Sequence, residues 1–367
     1  MKALFINSVC GIRSTGRICT DLAKELEQQG YECKIAYGRE EFVPVEFQKY
    51  AVRIGNNMDV RLHALEARLL DNSGFGSKRA TKAFLEWADD YDPDLLWLHN
   101  IHGYYINVEM LFDWIKSRPN MQVKWTLHDC WAFTGHCTYF TYAKCDKWKT
   151  GCHNCPEKKS YPKSNLFDAS KTNYMKKKKL FTEVNNLEII TPSNWLANLV
   201  KESFLKEYTI SLRYNTVDTD IFKPTPSDFK DRYGIKDKKM ILGVASVWDR
   251  RKGLDDFVEL SKMLDNRYQI VLVGLTNKQI SKMPNNIICI ERTNSKQELA
   301  EIYSVADVFV NPTYEDNYPT TNLEAQACGT LVITYDTGGC SETVDSKSFI
   351  VSTGDYCEIA CLLKSFY

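Results

Sequence analysis

The amino-acid sequence predicts an α/β protein built from two doubly wound domains, each with a parallel sheet. Three observations lead to this fold class. The chain of 367 residues is long for one hydrophobic core and suits two domains of ordinary size. Short apolar segments alternate with amphipathic segments in the first half, as is typical of βαβ units. The same alternation starts again after a proline-containing segment near residues 208–233, where we expect a linker.

The N-terminal half contains five apolar segments that we predict to be strands of one sheet. They are residues 3–7, 33–36, 95–99, 123–127 and 189–190. A glycine-containing loop over residues 11–16 follows the first of them. An apolar face with helical spacing predicts a helix over residues 18–29, which ends at Gly30. A further helix is predicted from Trp195.

The C-terminal half repeats this alternation from Lys239 onward. Predicted strands cover residues 240–245, 269–273, 287–290, 308–310 and 331–334, and predicted helices cover residues 254–264, 297–305 and about 320–329. The domains expected from this pattern are residues 1–210, residues 211–352 and a short C-terminal helical segment, residues 353–367.

The bulk composition limits the classes of protein and partner. Lysine plus arginine equals aspartate plus glutamate at 47 each, so we expect no nucleic-acid partner. The apolar runs are much shorter than the ~20 residues that span a bilayer, and the N-terminus does not resemble a signal peptide. Thirteen cysteines, an odd number, argue against an extracellular disulfide framework. These features predict a cytoplasmic protein.

Residues 306–344 form the most informative segment of the chain. A predicted strand runs into Asn311 and Pro312, a polar loop follows, and a short helix starts near Thr320. This order places a helix N-terminus at the carboxyl edge of a parallel sheet, where backbone amides and the helix dipole favour an anion. Asp316 and Glu324 flank that end with seven residues between them. If the amides bind a phosphate and the carboxylates bind hydroxyl groups, this segment forms a nucleotide-sugar pocket. The competing interpretation is an ordinary strand–helix–strand unit whose acids are solvated.

The segment EDNYPTTNLEAQACG, which starts at Glu315, resembles the acid-x7-acid signature of retaining GT-B glycosyltransferases of family 4. It takes the D-x7-E form of the capsule and exopolysaccharide branch, because Asp316 and not Glu315 is in register with Glu324. The resemblance implies two Rossmann-like domains that face each other across a cleft. It also implies metal-independent transfer of a sugar, with retention of configuration, from a nucleotide-sugar donor to a saccharide or lipid-pyrophosphate-linked acceptor in surface polysaccharide biosynthesis.

The same resemblance implies a donor site in the C-terminal domain. Glu324 holds the nucleotide ribose, since an ionised carboxylate offers acceptors for two hydroxyls, and Asp316 holds hydroxyls of the donor sugar. Lys252 matches a lysine that neutralises the leaving diphosphate. The arginine five residues before it is replaced by Val247, and we expect Arg251 to substitute. The helix-start residues assigned to donor binding are Thr320, Thr321 and Asn322.

The resemblance assigns the N-terminal domain to the donor sugar and the acceptor. His128 at a strand end contacts the donor sugar, which completes a catalytic set of His128, Arg251, Lys252, Asp316 and Glu324. The acceptor is expected at the first strand–helix turn and at the strand end near residues 99–105, where donor groups and aromatic faces suit a sugar. The acceptor-binding residues are Gly16, Arg17, His99, Asn100, His102 and Tyr104, with Gly16 allowing close approach.

Four cysteines lie within nineteen residues, in a loop over residues 130–160. They are Cys137, Cys145, Cys152 and Cys155. A C-x2-C pair with two further cysteines predicts a tetrahedral zinc site, which would be structural because protein ligands fill all four positions. Four free thiols or two disulfides are the competing interpretations.

Residues 144–179 hold eleven lysines against three acids. Such a run is commonly a solvated face, but it also suits anionic lipid head groups, and it predicts peripheral contact with the cytoplasmic face of a membrane. Two other functions stay open. A GT-B sugar-nucleotide epimerase would need the donor alone, and a non-catalytic zinc-stapled scaffold is favoured by the departures from the family pattern at Val247, Thr216 and Ser341.

Overall fold

The computed structural model describes residues 1–366. The chain divides into two compact units, Met1–Tyr214 and Asn215–Tyr367. Each unit contains one sheet in which every strand pair is parallel. The predicted fold class is confirmed, and the helix at the end of the chain lies within the second unit.

Seven strands form the sheet of the N-terminal unit. They are β1 (Lys2–Ile6), β2 (Glu32–Tyr37), β3 (Ala51–Arg53), β4 (Leu95–Leu98), β5 (Gln122–Thr126), β6 (Leu187–Thr191) and β7 (Thr209–Leu212), in the order β3-β2-β1-β4-β5-β6-β7. The helices of this unit are α1 (Arg13–Gln28), α2 (Asn57–Leu70), α3 (Lys78–Tyr91), α4 (Val108–Lys116), α5 (Ser170–Phe181) and α6 (Asn194–Glu202).

Six strands form the sheet of the C-terminal unit. They are β8 (Lys239–Val244), β9 (Tyr268–Val273), β10 (Ile287–Ile290), β11 (Val308–Asn311), β12 (Leu331–Tyr335) and β13 (Phe349–Val351), in the order β10-β9-β8-β11-β12-β13. The helices are α7 (Phe229–Arg232), α8 (Leu254–Met263), α9 (Asn277–Ile280), α10 (Lys296–Val305), α11 (Thr320–Ala327) and α12 (Tyr356–Ser365).

Both sheets are buried on both faces. Along β1, Leu4 and Ile6 belong to one hydrophobic cluster, while the alternate residues Ala3 and Phe5 belong to another. Successive side chains of a strand point to opposite faces, so the two clusters cover the two sides of the sheet. This burial explains the continuous apolar runs from which the strands were predicted, since strands covered on both faces lose the polar alternation of half-exposed ones.

All ten predicted strands are present, and the chief discrepancy lies at α1. The helix begins at Arg13, five residues before the predicted start at residue 18, so the glycine-containing loop is shorter than expected. Within the predicted loop, two residues have a positive φ, Gly11 at +70° and Arg13 at +57°.

The strand order of each sheet reverses direction at one point, between β1 and β4 in the first unit and between β8 and β11 in the second. Loops that leave the carboxyl ends of two such strands diverge and open a crevice, which is where ligands bind in doubly wound folds. Among residues 1–366, no helix is long and apolar enough to cross a membrane.

Candidate functional site

Three loops converge at the carboxyl edge of the C-terminal sheet, after β8, β11 and β12. At Gly253 (φ +71°) a Cβ would lie 2.1 Å from the carbonyl oxygen of Pro312, and at Gly338 (φ +58°) one would lie 1.8 Å from that of Asp316. Hydrogen bonds join the same loops. Tyr314 N–H donates to the Arg251 carbonyl at 2.7 Å, and Gly339 N–H donates to the Asp316 carbonyl at 3.2 Å. The two glycines therefore allow a contact between loops that any side chain would block.

Asp316 lies at the centre of this loop cluster with two cations beside it. Lys252 Nζ forms an ion pair with Asp316 Oδ2, and Asn317 N–H donates to Oδ1 at 2.8 Å. Arg251 Nη1 donates to the carbonyl of Glu315 at 2.7 Å, which holds the guanidinium next to the carboxylate. Burial raises the pKa of Asp316, but Lys252, Arg251 and the amide lower it more, so the pKa lies below its usual value. The carboxylate is ionised at neutral pH.

The N-terminus of α11 follows the same loop. Pro319 occupies the N-cap position, and its side chain has no group that accepts a hydrogen bond. Thr320 and Thr321 form the first helical turn, where amide groups and the helix dipole favour an anion. One turn further, Glu324 Oε2 accepts a hydrogen bond of 3.3 Å from Tyr303 Oη. Burial, and then the nearby carboxylate, raise the pKa of Tyr303 well above its usual value, so the phenol stays protonated as a donor.

Asn322, predicted to bind the donor, does not reach solvent in the structure. Its side chain is fully buried. Its Oδ1 accepts from Asn311 Nδ2 at 2.8 Å, and its Nδ2 donates to Thr343 Oγ1 at 2.8 Å. These bonds connect α11 to β11 and to the turn after β12, so Asn322 stabilises the loop cluster.

In the N-terminal unit, His102, Asp129 and Tyr161 form a hydrogen-bonded chain beyond the ends of β4 and β5. His102 Nε2 lies 2.9 Å from Asp129 Oδ2, and His102 Nδ1 lies 3.3 Å from Tyr161 Oη. Burial would raise the pKa of Asp129, but His102 and the Trp131 amide lower it more, so this carboxyl is ionised. In the neutral ring Nε2 therefore donates to Asp129 and Nδ1 accepts from Tyr161.

Tyr161 is the exposed member of this chain. Its side chain is 40% exposed, whereas that of His102 is 8% exposed. The rings of His102 and Tyr104 pack against it, with centroids at 5.8 Å and 6.0 Å. An accessible aromatic face beside a fixed polar chain suits one face of a sugar ring. Tyr161 was missed from the sequence because it lies 59 residues beyond His102 in an irregular loop.

His128 and His99 form a stacked pair at the same sheet edge. His99 Nδ1 lies 3.0 Å from His128 Nε2, and the ring centroids are 5.2 Å apart. Burial lowers the pKa of His128 to about 4 and that of His99 well below its usual value, so both rings are neutral near pH 7. His99, predicted to bind the acceptor, is 2% exposed and contacts His128, which is partly exposed.

The other predicted acceptor residues differ in their exposure, and Gly16 is among the buried ones. It is buried inside α1, where a Cβ would lie 3.0 Å from Val9 Cγ2, so it lets the helix pack on the preceding loop. Arg17, on the same helix, is partly exposed, as is Asn100, whose amide donates to Asn7 Oδ1 at 3.3 Å. Tyr104 is 8% exposed, and its ring lies between His63 and Tyr161.

Comparison with known proteins agrees with this architecture. Residues 227–367 match the family model for glycosyl transferases group 1. The chain is 24% identical over 344 residues to a protein of Escherichia coli described as the colanic acid biosynthesis glycosyl transferase WcaC, and the alignment covers 90% of this chain and 82% of that protein. A 122-residue stretch is 28% identical to N,N'-diacetylbacillosaminyl-diphospho-undecaprenol alpha-1,3-N-acetylgalactosaminyltransferase of Campylobacter jejuni, with 32% of each chain covered.

Two solved structures show the same fold over the whole chain. Sucrose-phosphate synthase of Thermosynechococcus elongatus gives a TM-score of 0.72 at 16% identity, with 100% of this chain and 89% of that chain covered. HepE of Anabaena, crystallised in complex with UDP, gives a TM-score of 0.63 at 15% identity with the same coverage. Taken with the loop cluster and with the match of residues 227–367 to the glycosyl transferases group 1 model, these similarities support a glycosyltransferase of the GT-B fold.

Proposed function

We propose that this protein is a retaining, metal-independent glycosyltransferase of family 4 that builds a bacterial surface polysaccharide. The observation that carries the proposal is the Lys252–Asp316 ion pair beside the N-terminus of α11, with Glu324 one turn into the helix. That arrangement offers cations and amides for a diphosphate and two carboxylates for hydroxyl groups. The similarity to WcaC supports a role in polysaccharide synthesis, and the UDP complex of HepE supports a nucleotide-sugar donor.

The donor would be bound by charge and hydrogen bonding at the loop cluster. The diphosphate accepts from the first amides of α11, at Thr320 and Thr321, while Lys252 moves its ammonium group from Asp316 toward the phosphate. Glu324, oriented by Tyr303, accepts from two ribose hydroxyls. Asp316 remains ionised through Arg251 and the Asn317 amide, and it accepts from hydroxyls of the donor sugar. Binding thus exchanges one ion pair for another.

The chemical step requires negative charge to develop on the leaving diphosphate. Lys252, Arg251 and the α11 N-terminus supply positive charge that is already positioned, so they stabilise the transition state more than the ground state. A phosphate oxygen of the leaving group accepts the proton of the attacking hydroxyl, which yields retention without an enzyme nucleophile. His128, neutral near pH 7, contributes a hydrogen bond to the donor sugar and no charge.

The acceptor would be bound by the N-terminal unit at Tyr161. Its exposed ring provides an apolar face for a saccharide, and the chain through His102 to Asp129 fixes its hydroxyl. Asn100 and Arg17 are the partly exposed polar residues at the neighbouring strand end and helix start. A saccharide or lipid-pyrophosphate-linked saccharide fits this combination of an aromatic face and a cation.

A thermal-shift screen over nucleotide sugars tests the donor proposal. The binding donor is expected to raise the melting temperature of the wild type, since it stabilises only the folded state. Glu324→Gln keeps the volume of the side chain but removes its charge, and it should abolish most of the shift. The matched control is Glu358→Gln on α12, an exposed acid remote from the loop cluster. An unchanged shift in Glu324→Gln would contradict the assignment of the ribose site.

Product analysis separates transfer from the competing functions. Incubation with donor alone should leave the donor sugar unchanged, and incubation with donor and acceptor should give one new bond of the donor's anomeric configuration. An isomerised sugar nucleotide from donor alone would identify an epimerase. No nucleotide-sugar binding at all would identify a non-catalytic scaffold.

We also propose that the N-terminal unit contacts a membrane surface through α2. Five large apolar residues of this helix are exposed: Met58, Leu62, Leu65, Leu69 and Leu70. Their spacing places them on one stripe, and Leu166 and Phe167, 63% and 59% exposed, extend it because Phe167 N–H donates to the Leu69 carbonyl. An apolar stripe among basic side chains suits an anionic bilayer surface. The neighbouring cations are Arg61, Arg68, Lys158 and Lys163.

The Lys-rich run predicted for this role contributes less than expected. Lys177 is 1% exposed, and its ammonium group donates to the carbonyls of Trp131 and Thr134 at 2.8 Å and 3.1 Å. Burial makes this lysine part of the interior and removes it from any lipid-binding face.

Vesicle sedimentation tests the membrane surface. Wild type should bind vesicles that contain phosphatidylglycerol more tightly than vesicles of phosphatidylcholine, and the double variant Leu65→Ser/Phe167→Ser should bind at least ~10-fold more weakly. Ile350→Ser, at an exposed apolar residue of the C-terminal unit, is the control. Equal binding by the double variant would contradict the proposal, and so would a wild-type dimer that the double variant makes monomeric.

A further inference from the structure

Four cysteines of the N-terminal unit face one cavity although no regular element brings them together. Cys137, Cys145, Cys152 and Cys155 line one small cavity of about 10 Å³. Phe140 and Trp148, stacked with centroids 4.9 Å apart, form part of its wall. The thiols of Cys137 and Cys155 share a hydrogen bond. Each of the thirteen cysteines is a free thiol in the structure.

The backbone around the cavity donates hydrogen bonds to two of the sulfurs. Gly135 N–H donates to Cys152 Sγ at 3.2 Å, and the amide of Glu157 donates to the sulfur of Cys155. Amide donors stabilise a thiolate and have little to offer a thiol in an apolar pocket. Gly135 must be glycine for this approach, because a Cβ there would lie 2.1 Å from the Ser170 carbonyl oxygen.

A buried cation lies near the same sulfurs. Lys177 is 1% exposed, and both of its hydrogen bonds go to neutral carbonyl groups. Once ionised, the sulfurs of Cys152 and Cys137 would attract its ammonium, as the carboxylates of Asp71 and Asp129 do. A buried ammonium is costly without negative charge close by. Four thiolates around one Zn²⁺ carry a net charge of −2 and would supply it.

We propose that these four cysteines bind one structural zinc ion. Among residues 1–366, no three His, Cys, Asp or Glu side chains are already set as a metal shell, so binding would turn the thiols inward. The hydrogen bond between Cys137 and Cys155 would be replaced by two Zn–S bonds, with sulfurs about 3.8 Å apart in a tetrahedral centre. Each thiol releases its proton on binding, so no oxidation or reduction takes place. Sulfur ligands in tetrahedral geometry favour zinc over magnesium or calcium.

The site would fix the loop that carries Tyr161. Residues 134–169 contain only one short 3-10 helix, Lys147–Lys149, and an irregular segment of that length is uncommon without a staple. Thr138, next to Cys137, donates from Oγ1 to the Tyr161 carbonyl at 3.3 Å. Cys155 N–H donates to Asp168 Oδ2 at 2.6 Å, close to the start of α5. The metal would thus connect both ends of the loop to the sheet edge where Tyr161 meets His102.

Metal analysis of the full chain tests the proposal. Protein expressed without added metal and washed with chelator should contain about one zinc per chain, and Cys152→Ser should lose it. Cys289→Ser, in the C-terminal unit, should keep it, and so should His153→Ala, since His153 also lines the cavity but is not assigned as a ligand. Loss of zinc in His153→Ala would overturn the four-cysteine set.

A second measurement keeps the proposal testable if Cys152→Ser does not fold. Wild type refolded with Co²⁺ should show the thiolate-to-cobalt absorption bands of a tetrahedral sulfur site, and Zn²⁺ should abolish them. Wild type without bound metal, whether its four thiols are free or joined in two disulfides, would overturn the proposal. Iron in place of zinc would overturn the identity of the metal.

Discussion

Lys252 combines two roles at the level of a single residue. It neutralises Asp316 in the structure, and it is the cation that we assign to the departing diphosphate. The side chain is 20% exposed, so water does not fully screen the pair. The departure at Val247, which is 64% exposed, leaves Arg251 and Lys252 as the cations held beside Asp316.

Lys252→Met should lower kcat of sugar transfer by about 100-fold or more, because preorganised charge on the leaving group is lost. The same change should raise the pKa of Asp316. Lys262→Met is the matched control, since that lysine forms an exposed ion pair with Glu259 on α8. A kcat for Lys252→Met within about threefold of the control would show that Lys252 does not act on the leaving group.

Tyr161 allows the aromatic face and the hydroxyl to be tested separately. Tyr161→Ala removes the face and should raise KM for the acceptor by about 10-fold, in keeping with ~1 kcal/mol for a stacked ring. Tyr161→Phe keeps the aromatic face, removes the hydrogen bonds of the hydroxyl to His102 and Arg39, and should have a smaller effect. Tyr142→Ala, in the same loop and 36% exposed, should leave KM unchanged. An unchanged KM in Tyr161→Ala would place the acceptor elsewhere.

At the level of elements, the donor site depends on how closely the loops after β8, β11 and β12 approach one another. The charged side chains and amides of this site lie at strand ends and at a helix start. Gly253 and Gly338 determine how closely the loops that carry them approach one another. Asn322 contributes from within α11 by bonding to Asn311 and Thr343. The positions of Asp316 and Thr320 therefore follow from contacts among neighbouring loop and helix residues.

Gly338→Ala should destabilise the C-terminal unit and weaken donor binding. Alanine is strained at a φ of +58°, which costs about 1–2 kcal/mol, and its Cβ would also meet the Asp316 carbonyl. Gly234→Ala is the control, because Gly234 has a φ of +63° with nothing within 4 Å of a Cβ. Urea unfolding should show a larger decrease in the free energy of unfolding for Gly338→Ala than for Gly234→Ala. Only Gly338→Ala should lose the rise in melting temperature caused by the donor. Equal losses in both variants would show that the loop contact is not tight.

At the scale of the whole molecule, the two units differ in their response to acid. All six histidines lie between residues 63 and 153, in the N-terminal unit. Burial lowers the pKa of His63 to about 4, and its Nε2 accepts from the amides of Gly74 and Gly76 at 3.2 Å each. His128 and His99 are shifted in the same direction.

The N-terminal unit should therefore lose stability as the pH falls from about 6.5 toward 4. In that window the unfolded state binds more protons at these histidines than the folded state, so the free energy of unfolding falls with pH, by about 2 kcal/mol at pH 5 for His63 alone. Urea unfolding followed by tryptophan fluorescence reports mainly on this unit, which holds seven of the eight tryptophans. If the urea concentration at the midpoint of unfolding is as high at pH 5 as at pH 7, or higher, the prediction is contradicted.

The sequence by itself determined both parallel sheets, because strands buried on two faces leave continuous apolar runs and βαβ spacing is a local pattern. Strand ends, a helix start and a short motif also predict Asp316, Glu324 and Lys252 as donor-binding residues, and the structure brings Lys252 and Asp316 together beside the start of α11.

Only the tertiary structure decided which polar side chains face solvent. His99, Asn322 and Lys177 are buried, and Gly16 packs inside α1, although their sequence neighbourhoods resemble those of ligand-binding residues. Tyr161, which we propose for acceptor binding, contacts His102, a residue 59 positions away. Burial and contacts between loops depend on residues that are distant in the chain. The local spacing of residues therefore does not predict them.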